Sequence, residues 1–439
     1  MSGKSEFEMR QALATKSELD SMVLTDIIEH HARDAAFLWH IRDAAVYSPA
    51  FDLEALHRLD DRVDAHIDGL RIAGDIGWKI CKAQLANSGA GEVFTATVLA
   101  VDRADVRALA AVLAHSARSP TAARGIVSGL GWAPLVKVRR FLSELLADDA
   151  PPELTYFGIA GSAVHRHDPG ASLTQTVYAR DPRLQARSLR ATGELGRADL
   201  LSDLRRELDS DHEACRFWAA WSAALLGEPA ANDVLWRFAF AEGPFAERAC
   251  SIVMRCVDPA VACARVRELA DTAGKLRIAL VGAAALGDPA LVPWVIDCMT
   301  NFEQARFAGW TFAMITGGDL SAQKLDRQPP EGFRTGPSDD PNDPNVALDP
   351  DERLPWPDVD EVRAWWKRRS ADFLPGKRLL LGNPLEPAGL RQVLISGSQP
   401  ARAAAAIEIG LMRRGQPLFE VRAPGPRQGK ILSEMRTGD

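Results

Sequence analysis

Residues 215–230 read CRFWAAWSAALLGEPA, and residues 275–299 read KLRIALVGAAALGDPALVPWVIDCM. In each, an alanine-rich amphipathic segment runs into a corner of Gly, an acid and Pro. Phe217, Trp221, Ala224 and Leu225 recur at three- and four-residue spacing, which puts them on one face of a helix. Gly227 suits the left-handed residue that ends such a helix. Pro229 suits the first turn of the next, where its missing N–H costs nothing.

The same corner returns along the chain. It reads LGEP at 226–229, VDPA at 257–260, LGDP at 286–289 and TGGD at 316–319, so that Gly227, Val257, Gly287 and Gly317 are 30 residues apart. Gly196 (in LGRAD), His167 (in HRHDPG), Gly131 (in LGWAP) and Asp102 (in VDRAD) continue the series more loosely. An arginine stands 9–11 residues before several anchors: Arg187, Arg216, Arg248, Arg277 and Arg306. A repeat of this length with helix-end chemistry at each corner predicts an all-α chain. Together with ARSLRATGELGRADLLSDL (186–204), the two quoted segments resemble short HEAT-like repeats also found in bilin-lyase proteins. The resemblance implies a HEAT-like helical-repeat superhelix, an α-solenoid. Each repeat should then touch mainly its neighbours, so deleting 228–257 should be tolerated better than deleting 228–242.

The register predicts four regions. Residues 1–90 form an N-terminal helical region, 91–320 the repeat array, 321–360 an acidic Pro-rich linker, and 361–439 a basic C-terminal helical segment. In the first region Thr25 can cap a helix reaching about Tyr47. Asp52 can cap the next, with Leu53, Leu56, Leu59, Val63, Ile67 and Leu70 as its stripe. Gly74 and Gly77 should break that helix, and Ser88-Gly-Ala-Gly91 should form a hinge. Between 338 and 361 stand nine acidic residues and one basic, which predicts an extended, partly disordered excursion over 329–358. From 362 to 439 there are fourteen Lys/Arg and six Asp/Glu, a local +8.

Composition limits the function classes. The 439 residues are 46% hydrophobic and 25% charged, ordinary for a core-forming protein, and the net charge of -7 disfavours general nucleic-acid binding. The polar first twenty residues lack the apolar run of a signal peptide, and no apolar run is long enough for a membrane helix. Cys81, Cys215, Cys250, Cys256, Cys263 and Cys298 form no CxxC pair. Reduced thiols in a cytoplasmic protein are expected.

Three blocks carry a second resemblance: HHARDAAFLWHIRDAAV (30–46), DLEALHRLDDRVDAHIDGLRIAG (52–74), and LLLGNPLEPAGLRQVL (379–394) with GQPLFEVRAP (415–424). They resemble an uncharacterised HEAT-repeat-like family encoded in bacterial type VI secretion gene clusters. The resemblance implies a genomic association and brings no catalytic residues.

Several clusters invite a chemical reading. His165, His167 and Asp168 could bind zinc with a further ligand, or could sit at a structural corner. His30, His31 and Asp34 lie near a helix start, without the HExxH of a zincin. Asp60, Asp61, Arg62, Asp64, His66 and Asp68 form a polar face opposite the leucine stripe, either solvated or an interface. Trp365 and Trp366 with Lys367, Arg368 and Arg369 could stack on bases or clamp an acidic partner, or one tryptophan could dock on the array. The single His212-Glu213 dipeptide is too little for a di-iron site of the kind some HEAT-like enzymes build. GxSxG, Walker and GxGxxG patterns are absent, and Gly129-Leu-Gly131 lacks the third glycine. No cofactor is expected.

The sequence therefore predicts an interaction scaffold, an adaptor or chaperone-like accessory of type VI secretion. Its partner would be a protein: an effector, a spike component or a baseplate component. The candidate partner-binding residues are Asp60, Arg62, His66, Asp68, Trp365, Trp366, Lys367, Arg368 and Arg369. The rival readings are a lyase or metal-dependent enzyme acting on a protein, and an immunity-like toxin binder.

Overall fold

Helices start where Asp-Pro and Ser-Pro pairs stand and end at the repeat glycines. Asp181, Asp258 and Asp288 each accept a backbone N–H at a helix start, with Pro182, Pro259 and Pro289 in the first turn. Gly196, Gly227, Gly287 and Gly317 all have positive φ, between 70° and 90°. A computed structural model describes residues 25–87, 89–116, 119–333, 335–336 and 349–435. The chain is an all-α helical repeat protein, and its strands are two-residue pairs. It divides into two compact units.

The first unit holds residues 25–45, 54–169 and 422–430. Its helices are α1 (25–45), α2 (Leu53–Ile72), α3 (Gly74–Gln84), α4 (Ala90–Asp102), α5 (Val106–Ser116), α6 (Pro120–Trp132), α7 (Leu135–Leu145) and α8 (Pro152–Val164). Helices α4, α6 and α8 pack side by side, with α5 and α7 between them in sequence. A Cβ at Gly129 would lie 2.6 Å from Thr97 Cβ, so the glycine sets how closely α6 meets α4. Trp39 stacks on Phe94 at 5.3 Å and donates its indole N–H to Ser128 Oγ at 2.9 Å.

Three details differ from the sequence expectation. Gly74 has φ +57° and separates α2 from α3, but Gly77 lies inside α3, packed against the Leu70 carbonyl. Gly89 precedes α4, and Gly91 lies inside it against the Ala36 backbone, so 89–91 is a tight packing site and no hinge; Ser88 lies outside the described residues. Gly131 is helical, and its corner falls at Ala133-Pro134. In each case a missing side chain serves close approach rather than chain reversal.

The second unit holds residues 46–53, 170–421 and 431–435. One row of helices comprises α10 (Pro182–Leu195), α12 (Glu213–Leu225), α14 (Ala246–Cys256), α16 (Leu276–Leu286) and α18 (Ala305–Thr316). The short α9 (Ala171–Thr176) precedes it. The other row comprises α11 (Leu201–Arg206), α13 (Ala231–Phe240), α15 (Pro259–Asp271) and α17 (Val292–Cys298). The α12 face is buried as expected, at Phe217, Trp221, Ala224 and Leu225. Pro229 sits in a turn two residues before α13 rather than in its first turn.

Residues 376–418 form a strap over the glycine corners. They include α20 (Pro387–Ser396) and α21 (Gln399–Met412), and follow α19 (Val359–Arg369). Leu379 N donates to Gly287 O at 2.9 Å, Leu381 N to Met314 O at 2.7 Å, Gly382 N to Ile315 O at 3.0 Å, and Leu418 N to Glu194 O at 2.9 Å. Arg378 Nε donates to Leu286 O at 3.0 Å. These are carbonyls at helix C-termini that no helical N–H reaches. Part of the C-terminal positive charge thus has a structural use, because cations suit helix C-termini. Helix α22 (Gly425–Glu434) ends the described chain.

Residues 349–358 are also packed against the array, in place of the extended excursion the sequence suggested. Trp356–Pro357 pairs antiparallel with Asp326–Arg327, and the side chains of Asp349 and Asp351 are only 8% and 6% exposed. Residues 337–348 lie outside the described set. Among the described residues, no helix is long and apolar enough to cross a membrane.

Candidate functional site

Helices α12, α14, α16 and α18 turn matched repeat positions into one cavity of about 490 Å³ in the second unit. Trp221, Ser251 and Val281 line it and are 30 residues apart, and Ala284 and Met314 share that interval. The repeat period is therefore written in the cavity wall. Small residues from the middle repeats leave the volume open, while Phe307 and Trp310 of α18, stacked at 4.9 Å, close one end. Pro350, Asp351 and Leu354 form another wall, and α21 a third.

Arginines give the cavity its charge. Arg248, Arg255 and Arg277 all line it. Arg277 makes a two-pronged pair with Asp351, Nη1 to Oδ2 at 2.8 Å and Nη2 to Oδ1 at 3.0 Å, and its guanidinium lies 4.0 Å from the Phe307 ring centre. Burial works against that charge, but Asp351 and Glu247 carry the Arg277 pKa above its ordinary value. Arg306 donates to Asp351 O at 3.0 Å and to Asp349 Oδ2 at 2.6 Å. Asp349 loses some acidity to burial, yet Thr335, the Asp351 N–H and Arg306 hold its carboxyl below the usual range.

Deeper, Arg255 Nε stands 3.0 Å from Glu408 Oε1, and Arg378 also reaches that carboxylate. Burial pulls the Arg255 guanidinium below its ordinary value, with Glu408 opposing. A wall of aromatic faces and bidentate-capable guanidinium groups is suited to carboxylates that carry apolar neighbours.

The sequence drew attention to other residues. Asp60 is not on a solvated face. It is 1% exposed, accepts from Arg42 Nε at 2.8 Å and from Gly425 N at 2.7 Å, and so ties 422–430 into the first unit. Arg62 is exposed, and Asp68 pairs with Arg71 at 2.6 Å. His66 meets two residues of α1, its Nδ1 lying 3.2 Å from His31 Nδ1 and 3.7 Å from Asp34 Oδ2. Burial lowers the His66 pKa, with Asp34 opposing and His31 adding. Asp64 accepts from Trp132 Nε1 at 2.9 Å, and burial raises its pKa. These side chains come together only in part, because the helix turns Asp60 inward.

In the second unit Trp365 is buried, edge-on to Phe312 at 5.3 Å and near Phe373. Trp366 is half-buried against Phe373, while Lys367 and Arg368 are exposed. Arg369 lies 5.1 Å from the Trp365 ring centre and pairs with Asp372 at 3.2 Å. One tryptophan therefore docks on the array and the basic end points to solvent.

His165 is a structural residue. Its Nε2 donates to Leu130 O at 2.8 Å, and burial, with Arg427 nearby, pushes its pKa down to about 4. Among the described residues, no group of three or more His, Cys, Asp or Glu is arranged to hold a metal. The folded state keeps this imidazole neutral, while an unfolded chain protonates it near 6.5. Stability from His165 is thus full above pH 6.5 and falls as pH drops towards 4, by about 2–3 kcal/mol. A His165→Gln variant should lose that part of the pH slope in urea titrations at pH 7, 5.5 and 4.5; an unchanged slope would refute the assignment.

Sequence reasoning noted the repeat arginines but attached no role to them, and it missed Trp310 and the 349–354 segment. The usable signal was the recurrence of Arg248, Arg277 and Arg306 at a spacing of 29 residues, 9–11 residues before their corners. No protein-family model matches this chain, and no curated protein matches it.

Proposed function

We propose that this protein is a binding scaffold whose working surface is the cavity on the helix row of the second unit. The observation that carries the reading is the convergence of repeat-equivalent positions from four helices on one charged, aromatic-lined space. Repeat arrays bind through such surfaces because stacking aligns equivalent side chains in a row. The three blocks resembling a type VI secretion-associated family direct the partner search. The partner is then an effector, spike or baseplate component, held in the cytoplasm by an adaptor or chaperone-like accessory. Lys367, Arg368 and Arg369 supply a second, solvent-facing cationic patch that could steer an acidic partner at low salt.

The test is affinity capture from cells expressing the secretion cluster. Arg248→Glu changes an exposed residue and should leave the fold intact. It should reduce capture of a secretion component by about tenfold or more, as loss of an interface hot spot does. Equal capture by wild type and Arg248→Glu would remove the cavity from the reading. A catalytic turnover retained by the purified, partner-free protein would overturn the scaffold reading as a whole.

A further inference from the structure

We propose that the cavity receives an acidic, turn-forming segment of the partner, and that residues 349–354 of the chain itself occupy part of that binding site. This deepens the scaffold reading and rests on it. Asp349-Pro-Asp351-Glu-Arg-Leu354 is a short turn, closed by Glu352 N to Asp349 O at 3.3 Å and Leu354 N to Asp351 O at 2.9 Å, and its aspartates meet two successive repeat arginines. Arg277 takes both carboxylate oxygens of Asp351, and Arg306 takes Asp349 together with the Asp351 carbonyl. Arg277 and Arg306 stand at nearly the same offset before Gly287 and Gly317. The array thus presents a ladder of guanidinium groups about one repeat apart, and the segment fills two rungs. Arg248, the preceding rung, lines the cavity that the segment borders.

Charge complementarity identifies the occupant. Bidentate Arg–carboxylate pairs are selective for planar anions, and the Phe307 ring, its centre 4.0 Å from the Arg277 guanidinium, supports that group from one side. Phe307, Trp310 and Trp221 beside the arginines add apolar surface for residues flanking the acids. A partner turn with aspartates two apart and a leucine or aromatic nearby has the chemistry of the chain's own segment. Because 349–354 is tethered, it competes at an effective concentration of order mM, and the partner must displace it.

The probe is a labelled peptide with the sequence of residues 347–356, ALDPDERLPW, with ALNPNERLPW as control. Full-length protein carrying Asp349→Asn and Asp351→Asn should bind the acidic peptide about tenfold or more tightly than wild type does. Adding Arg277→Gln and Arg306→Gln should abolish that gain, and neither protein should hold the control. Equal affinity of wild type and the Asn variant, or equal binding of both peptides, would overturn the proposal. Self-association of the Asn variant without peptide capture would overturn it in favour of a second copy of the chain.

Should the Asn variant not fold, wild type carries the test. Excess acidic peptide must speed amide exchange over 351–356 while the control peptide does not, and unchanged exchange overturns the proposal. The two readings fail separately. If Arg248→Glu loses the secretion component but the Asn variant captures it no better than wild type, the acidic-segment inference falls and the scaffold stands. If capture ignores Arg248→Glu, the scaffold reading falls first.

Discussion

Gly287→Ala should destabilise the second unit by about 3–5 kcal/mol, while Gly274→Ala should cost about 1–2 kcal/mol. Both glycines have positive φ, 70° and 76°, so an alanine at either pays for a left-handed backbone. At Gly274 an added Cβ meets nothing within 4 Å. At Gly287 it runs into the Leu379 carbonyl, which is backbone and cannot swing aside as a side chain can. The hydrogen bond from Leu379 N to Gly287 O at 2.9 Å would be strained as well, adding roughly 1 kcal/mol. Gly227 offers an internal comparison, because the atoms nearest its added Cβ are those of the Arg414 guanidinium, the movable end of a flexible side chain. Gly227→Ala should therefore fall between the other two. Urea unfolding followed by circular dichroism ranks the three variants. Equal losses at Gly274 and Gly287 would show that the strap does not bear on the corner.

Asp60→Ala should be comparably damaging to the first unit, at about 3–5 kcal/mol, because it leaves a buried cation without its counter-ion. Arg42 and Asp60 are 4% and 1% exposed. Beyond Asp60, Arg42 holds Arg422 O at 2.8 Å and Ala423 O at 3.0 Å. Asp60 holds Gly425 N. Its removal strands a guanidinium charge and a backbone N–H together. Asp68→Ala, on the exposed side of the same helix, should change stability by less than about 0.5 kcal/mol. Thermal melts of the two variants make the comparison, and a mild Asp60→Ala would mean that water reaches Arg42.

These residues show how far the sequence could be read. The fold class was legible because corner chemistry is local. A Gly followed by an acid and Pro carries its own conformational instruction; two such corners, with VDPA and TGGD at the same interval, leave few architectures. Gly77, Gly91 and Gly131 were misread because a glycine needed for close packing looks the same in sequence as one needed for a turn. What separates them is the neighbour they pack against, which for Gly91 and Gly131 is distant along the chain, at Ala36 O and Val164. Asp60 failed for a related reason. Its place among Asp61, Arg62 and Asp64 suggested one polar face, yet its partners lie at 42 and 425. The docked aspartates at 349 and 351 were hidden by composition, since an acidic Pro-rich stretch reads as solvated unless its arginines are known. The arginine offsets were visible; their meaning required the cavity.

The strap also constrains how this gene can evolve. Simple repeat arrays grow and shrink by duplicating or losing units, since each unit needs only its neighbours. Here the corners at Gly287 and Gly317 are matched by backbone at 379 and 381, and those at Gly227 and Gly196 by side chain or backbone at 414 and 416. An inserted or lost unit would shift the corners relative to the strap and leave helix-end carbonyls uncovered. A clean removal of 228–257, harmless in a free array, therefore puts the strap out of step. Repeat number in this lineage should be held constant, with change confined to side chains on existing units and to the segments between strap contacts.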